Sequence, residues 1–175
     1  MIYDSTEEYF ADQIKRIEEF TASENGFFTA ASTTHAELIE RIFDEGKKTD
    51  GSQIGTYSTK PTYIDPAKSP VKFAGKGKNG AKTKTKYFQG GYKQFRGEIG
   101  RQNAKVDLAL SNAMRLEFSN NVTSENGNWV YSIDVNRHKA KGAENKYGVI
   151  FKLSDQERAD HAKRVELLAN RWLNR

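Results

Sequence analysis

The sequence predicts an α+β fold in which helices at both ends flank a small antiparallel sheet. Three observations carry this prediction. Apolar residues recur at helical spacing behind capping-box signals near both ends of the chain. Short alternating apolar runs lie in the second half, as strands require. Between them, from residue 47 to residue 100, periodicity fails, and glycine, lysine, threonine, tyrosine and all three prolines (Pro61, Pro66, Pro70) accumulate. The predicted architecture is two N-terminal helices, a small antiparallel sheet with a long basic projecting hairpin or loop, and a C-terminal helix. With 175 residues, 36% hydrophobic and 29% charged, the chain has material for one modest core. One domain, residues 1–175, is expected, with residues 60–100 a basic excursion within it.

The first helix is predicted over residues 5–21: Ser5 stands three residues before Glu8, and Phe10, Ile14, Ile17 and Phe20 follow at helical intervals. ASENGFFTAAS reads as a turn, with Asn25-Gly26 as its breaker. Thr34 and Glu37 then cap a second helix carrying Leu38, Ile39, Ile42 and Phe43, which stops at Gly46. Each apolar stripe can pack on a sheet or on a neighbouring subunit, and the sheet is the default expectation. Regular helix is not expected between residues 47 and 100.

Within that region Asn79-Gly80 is a two-residue hairpin signal, able to pair VKFAGKGK with AKTKTKYF. The pairing sets Lys78 opposite Ala81, Lys76 opposite Thr83 and Val71 opposite Phe88. One face then carries Lys72, Lys76 and Lys78, and the other Lys82, Lys84 and Lys86. Such a ribbon has two wet faces and projects about 25 Å from a base of Val71, Phe73 and Phe88, at about 3.3 Å per residue. A loop of the same composition that orders only on binding is the competing reading.

VDLALSNAMRLEFS reads as a strand through Val106, Leu108 and Leu110, followed by a short helix capped by Ser111. NWVYSIDVN reads as a strand with Trp129, Tyr131, Ile133 and Val135 on the core face, and VIFKL as another short strand. Ser154 and Glu157 form a capping box that opens the final helix, with Ala162, Val165, Leu168, Ala169 and Trp172 along one side.

Charge is distributed unevenly. Residues 1–46 hold eleven acidic and three basic side chains, a balance of −8, whereas residues 60–97 hold ten basic residues against Asp65 alone, a balance of +9. The formal net charge of +5 and the isoelectric point near 9.3 therefore arise from a local cationic segment. An acidic end and a basic middle can bind partners of either sign, or complement each other between copies.

Several chemistries lack their residues. Without cysteine there is no disulfide framework or thiol site, and a reducing compartment is favoured. No run approaches the roughly 20 apolar residues of a membrane span, and MIYDSTEEYF lacks the order of a signal peptide. A soluble, unsecreted chain without a membrane partner is expected. His35, His138 and His161 are scattered and expected at the surface, and no cofactor or metal is implied. FAGKGKNG lacks the Lys-Ser/Thr ending of a P-loop. A small hydrolase using the acids and His138 would lack a convergent constellation, so no enzymatic activity is expected.

Four segments, in order, resemble the phage virion-morphogenesis family, its tail-completion or neck group. DEGKKTDGSQIGTYS resembles the family's helix exit and DG…YS turn, and VDLALSNAMRL its Leu-x-Leu-Thr-Gly-like segment. YFQGGYKQFR resembles an aromatic-Gly-Gly-Tyr-Lys element of members from phages of Bacteroides-like hosts. NRHKAKGAENKYGVIFKLSDQER resembles the family's ending. Together they span about residues 36–160. Asn112 stands where the family more often has glycine, and asparagine also tolerates a left-handed turn. The lysine segment, residues 71–88, is longer and more basic than the pattern, so its role does not follow from the resemblance.

At the matched positions, Asp50-Gly51 and Gly55 permit tight turns that return Tyr57 to the fold, and Gly90-Gly91 bends the chain so that Tyr92, Phe95 and Arg96 share a direction. Tyr57, Tyr92, Phe95 and Arg96 are the expected subunit-interface residues, since tyrosine and arginine often anchor interfaces. The six lysines are the expected contacts for DNA or an acidic partner. The resemblance implies a virion protein that assembles in the host cytoplasm, forms or joins a homo-oligomeric ring at the head-to-tail junction, and contacts connector (portal) and tail proteins. Non-specific DNA contact through the lysines is the alternative.

Overall fold

The computed structural model describes residues 4–22, 26–69, 71–109, 112–125 and 128–174. It is α+β and mostly helical. Ser5 opens α1 (Thr6–Ala22) by accepting the Glu8 N–H at 3.1 Å, while the Glu8 carboxylate accepts the Asp4 N–H at 2.9 Å. The capping box expected at Ser5 is thus spread over two residues. α1 lies against α2 (Phe27–Ile39) and α6 (Asp155–Leu173), not against a sheet.

α2 begins seven residues ahead of the predicted Thr34 cap. FFTAAST has no breaker once Gly26 is passed, and the Thr34 hydroxyl, buried mid-helix, donates to the Ala30 carbonyl at 2.9 Å. The predicted turn thus supplies two turns of helix. Asn25 lies outside the described residues. α2 continues into a π-helical turn, Glu40–Asp44, whose wider winding carries Arg41, Ile42 and Phe43 consecutively into the interior. Gly46 ends it as expected, at φ +68°; a Cβ there would meet the Val106 carbonyl oxygen at 2.6 Å.

β1 (Thr62–Ile64) pairs antiparallel with β2 (Lys86–Phe88), setting Thr62 opposite Phe88. A 3-10 turn, Pro66–Lys68, follows β1, with the Asp65 carboxylate accepting the Ala67 N–H. The projecting lysine ribbon does not form. Asn79-Gly80 closes a tight turn with Gly80 at φ +81°, but a single bridge, Lys76 to Lys82, replaces the ladder, one residue out of the predicted register. Lys76 also bridges Lys86: its carbonyl accepts the Tyr87 N–H at 2.7 Å, and its N–H reaches the Thr85 carbonyl at 3.0 Å. Phe73 packs edge-on against Phe88 and Phe95. The gain from burying this aromatic cluster folds the segment back onto β2.

α3 (Gly91–Glu98) is a helix where none was expected. Tyr92 and Phe95 bury one side of it, and the Gln94 side chain accepts the Gly90 N–H at 2.7 Å, replacing a conventional cap. Residues 106–109 form no strand: Leu108 sits at φ +53° and the Asp107 side chain points inward. Leu110 and Ser111, predicted to end that strand and cap the next helix, lie outside the described residues. α4 (Ala113–Asn120) follows Asn112, which adopts φ +58°.

β3 (Val122–Glu125) and β4 (Asn128–Tyr131) form a second antiparallel pair. The predicted inward placement of Trp129 and Tyr131 concerns side chains outside those described. Val135, expected in the core, is 82% exposed because the strand ends at Tyr131. Ile133 does pack against the core. α5 (Arg137–Tyr147) follows and carries His138 near its start. VIFKL is not a strand, because its polar backbone is already satisfied. Arg41 donates to the Ile150 and Lys152 carbonyls, Thr49 to those of Val149 and Lys152, and Glu144 accepts the Ile150 and Phe151 N–H groups.

α6 begins with the complete capping box predicted from sequence: Glu157 N–H to Ser154 Oγ at 3.1 Å, and Ser154 N–H to Glu157 Oε2 at 2.6 Å. Val165, Leu168, Ala169 and Trp172 are half-buried along it, and Ala162 is exposed. The central core gathers Leu38, Ile42, Phe43, Ile54, Val106, Met114, Phe118, Ala140 and Ile150.

Candidate functional site

Three of the four segments that carry the family resemblance meet at one point. Tyr57, from the turn after Gly55, donates its hydroxyl to Asp107 Oδ1 at 2.7 Å. Arg96, on α3, donates to both Asp107 oxygens at 2.9 and 3.0 Å, and through Nε to the Gln102 carbonyl at 2.7 Å. Tyr92 stacks 5.5 Å from Tyr57 and 5.4 Å from Phe95. Gly91, at φ +65°, allows the approach: a Cβ would meet the Lys60 carbonyl oxygen at 2.4 Å. Gly51 (φ +79°), Gly55 (φ +149°) and Asp50, which accepts from the Ser52 amide and hydroxyl, shape the preceding turn.

This node is interior. Phe95 and Arg96 are each 1% exposed, so they hold the fold together and present nothing to a partner, contrary to the interface role expected of them. Burial pushes the Tyr57 hydroxyl well above the usual tyrosine pKa, and the Asp107 carboxylate adds to the shift. Burial raises Tyr92 too, with Arg96 opposing. Both hydroxyls are held in the protonated form. Tyr57 and Tyr92 are half-buried.

The surface offers two contrasting regions. The first is cationic. Lys72, Lys76, Lys78, Lys82 and Lys84 are all exposed along the folded-back segment, as is Val71 at its start, and Tyr63 is exposed on β1. Lys86 is set apart: it pairs with Glu98 and lies over the Phe88 ring. The two predicted lysine faces are thus merged into one exposed stretch.

The second region is α1, which is turned inside out. Its inward side carries Asp12, Gln13, Arg16 and Phe20; Arg16 pairs with Asp12 at 2.7 Å and donates to the Leu173 carbonyl at 3.1 Å. Phe20 is buried beside Trp172. Of the apolar stripe predicted to enter the core only Phe20 does so; Phe10, Ile14 and Ile17 face outward, 57%, 57% and 51% exposed. Full burial of each would be worth about 1.5–3 kcal/mol, most of which this conformation forgoes. Glu7 and Glu18 stand on the same face by helical spacing.

The histidines are not surface residues as a group. His35 is buried edge-on against Phe118, and desolvation lowers its pKa to about 4. His161 faces α2, its Nδ1 2.9 Å from the Thr34 hydroxyl and its ring edge-on to Phe27. His138 is exposed on α5. Among the described residues no cluster of His, Asp or Glu has the makings of a metal site, and no helix is long and apolar enough to cross a membrane.

Sequence reasoning missed four polar anchors. Asp107 lies in the apolar run VDLAL, and Arg41 in LIERIF; a charged residue inside an apolar run signals a buried partner. Glu157 was read only as a cap, yet it also holds Arg41 at 2.7 Å. Glu117 accepts the N–H groups of Asp134, Val135 and Asn136, together with the Asn136 side chain, and nothing in local sequence marks it. No protein-family model, curated protein or solved structure matches this chain.

Proposed function

We propose that the chain is a non-enzymatic structural subunit of a phage virion, acting in the neck or tail-completion region and forming or joining a ring at the head-to-tail junction. The observation that carries this reading is the pair of unsatisfied surfaces of opposite sign. An acidic helix turns its apolar stripe to solvent, and a lysine-rich segment exposes five cations. Surfaces of that kind mark protein contact. The ordered resemblance of four sequence segments supplies the virion context. The connector and tail proteins are the proposed partners, and the virion is the proposed location.

Electron microscopy and mass photometry of the purified chain, alone and mixed with phage connector and tail proteins, test the proposal. Rings or a connector-bound complex are expected. A chain that binds neither connector nor tail protein overturns it.

The five exposed lysines support a second reading, non-specific DNA contact by phosphate neutralisation. Under it, affinity for duplex DNA falls steeply with salt, and Lys76→Ala, Lys82→Ala and Lys84→Ala together flatten that slope. A slope unchanged by the triple variant removes the segment from DNA binding.

A further inference from the structure

We propose that the outward face of α1 is the docking site for the lysine-rich segment, residues 71–88, of a second copy of this chain, in a head-to-tail contact. The inference rests on the assembly reading above and specifies its joint.

Start with the helix. Phe10, Ile14 and Ile17, with Glu7 before them and Thr21 after, follow alternating three- and four-residue steps, so all five lie on one face. That is the spacing of a seam meant to be covered. Yet α1 docks on α2 and α6 through its polar side. An amphipathic helix seated by its polar face leaves the other face for a partner.

Charge then selects the occupant. Residues 4–22 hold Asp4, Glu7, Glu8, Asp12, Glu18 and Glu19 against Lys15 and Arg16, and these two cations pair within the helix, with Glu19 and Asp12. The face therefore keeps a negative rim. Antiparallel pairing of two such helices brings Glu7 of one copy towards Glu18 of the other, so self-pairing is repulsive. A cationic partner with some apolar surface is favoured, and the chain contains one. Lys72, Lys76, Lys78, Lys82 and Lys84 are exposed on the same segment as exposed Val71, and β1, paired with β2 at the end of that segment, exposes Tyr63. The aliphatic stems of lysine can cover Phe10, Ile14 and Ile17 while their ammonium groups reach the acidic rim. Within one copy the segment belongs to the β2 and α3 side, whereas α1 belongs to the α2 and α6 side. The two surfaces are therefore available to different neighbours, and a contact between unlike surfaces propagates in one direction until a ring closes.

The test uses two full-length variants. Ile14→Asp with Ile17→Asp disables the helix face, and Lys76→Glu, Lys82→Glu and Lys84→Glu disables the segment. Sedimentation velocity is run on each alone and on the equimolar mixture, with circular dichroism melts confirming that each is folded. Wild type is expected to self-associate with concentration, more weakly at high salt. Each variant is expected to lose at least about tenfold in self-affinity. Their mixture should form dimers and nothing larger, because only one productive joint remains. A segment variant that still dimerises points to an α1–α1 contact and overturns the proposal, as does an inert mixture or a wild-type chain that stays monomeric at every concentration. Should the Ile14/Ile17 variant fail to fold, a charge-exchanged chain replaces it, with Glu7→Lys and Glu18→Lys added to the three lysine reversals. Restored association supports the joint, and continued monomer overturns it. Connector binding by a chain that does not self-associate would sink this joint and leave the assembly reading standing; loss of both would sink both.

Discussion

The Arg96 guanidinium lies over the Tyr57 ring, 4.3 Å from its centre, while both residues bind the same Asp107 carboxylate. One buried cation is thus satisfied by a carboxylate, a carbonyl and an aromatic face, and the cost of desolvating it is offset by all three.

Because that cost remains when a partner is removed, single truncations here should be severe. Arg96→Ala and Asp107→Ala are each predicted to lose about 3–5 kcal/mol in urea denaturation, and the double variant less than their sum. Tyr57→Phe, which deletes the hydrogen bond to Asp107 Oδ1 and the one accepted from the Asp107 N–H, should cost about 2 kcal/mol. Strict additivity of Arg96 and Asp107 would show that they are not coupled.

Arg41 ties the π-helical turn to the chain before α6, donating to Glu157 and to the carbonyls of Lys47, Ile150 and Lys152. A lysine keeps the charge but cannot reach this many acceptors from one planar group. Arg41→Lys is predicted to destabilise by on the order of 3 kcal/mol, with amide exchange accelerating first at Ile150 and Phe151. A variant within experimental error of wild type would refute the multiple anchoring.

Acid should unfold the chain through His35. Its pKa is lowered from 6.5 to about 4 in the fold, so between those values the unfolded chain binds a proton that the folded chain does not. Stability is full above the unfolded value, falls by about 1.4 kcal/mol per pH unit below it, and levels off for this group below the folded value. His35→Phe should remove that part of the slope between pH 6.5 and 4. An unchanged slope in thermal melts would exclude His35 as its source.

Glu117 has a linkage of the same sign at lower pH. Its environment both desolvates it, which raises its pKa, and surrounds it with hydrogen bonds from Asn136 and the amides of Val135 and Asp134, which together lower it by more, for a net decrease. The carboxylate's contribution is present above the unfolded value of about 4.3 and is lost as pH falls through the folded value. Glu117→Gln is predicted to lower the melting temperature at neutral pH, with the difference shrinking in acid. A constant difference across that range would assign the effect to packing.

The parts of the fold that could be read from the sequence are those fixed by local chemistry. The Ser154–Glu157 box, the stop at Gly46 and the left-handed Asn112 are decided within four residues. Elements decided by distant partners were misread. α3 and α5 have short or broken apolar patterns and draw support from elsewhere in the chain, α3 from Phe73 and Phe88, and α5 from Glu117 at its start. VIFKL has strand composition, but Arg41, more than a hundred residues away, takes its carbonyls. At the candidate surfaces, the charge split could be read by counting residues. The orientation of α1 could not, because its stripe has the same periodicity whichever way it faces.

The bond from Arg16 to the Leu173 carbonyl spans 157 positions. During synthesis, therefore, α1 emerges before α6 and has only α2 to lean on until α6 has left the ribosome. Closing so long a loop is a late step, and until then the part of α1 that α6 covers is open to other chains as well as its outer face. The polar seat of α1 thus acts as a timer: the helix gains its fixed orientation, and with it a defined outer surface, only as the rest of the fold is completed.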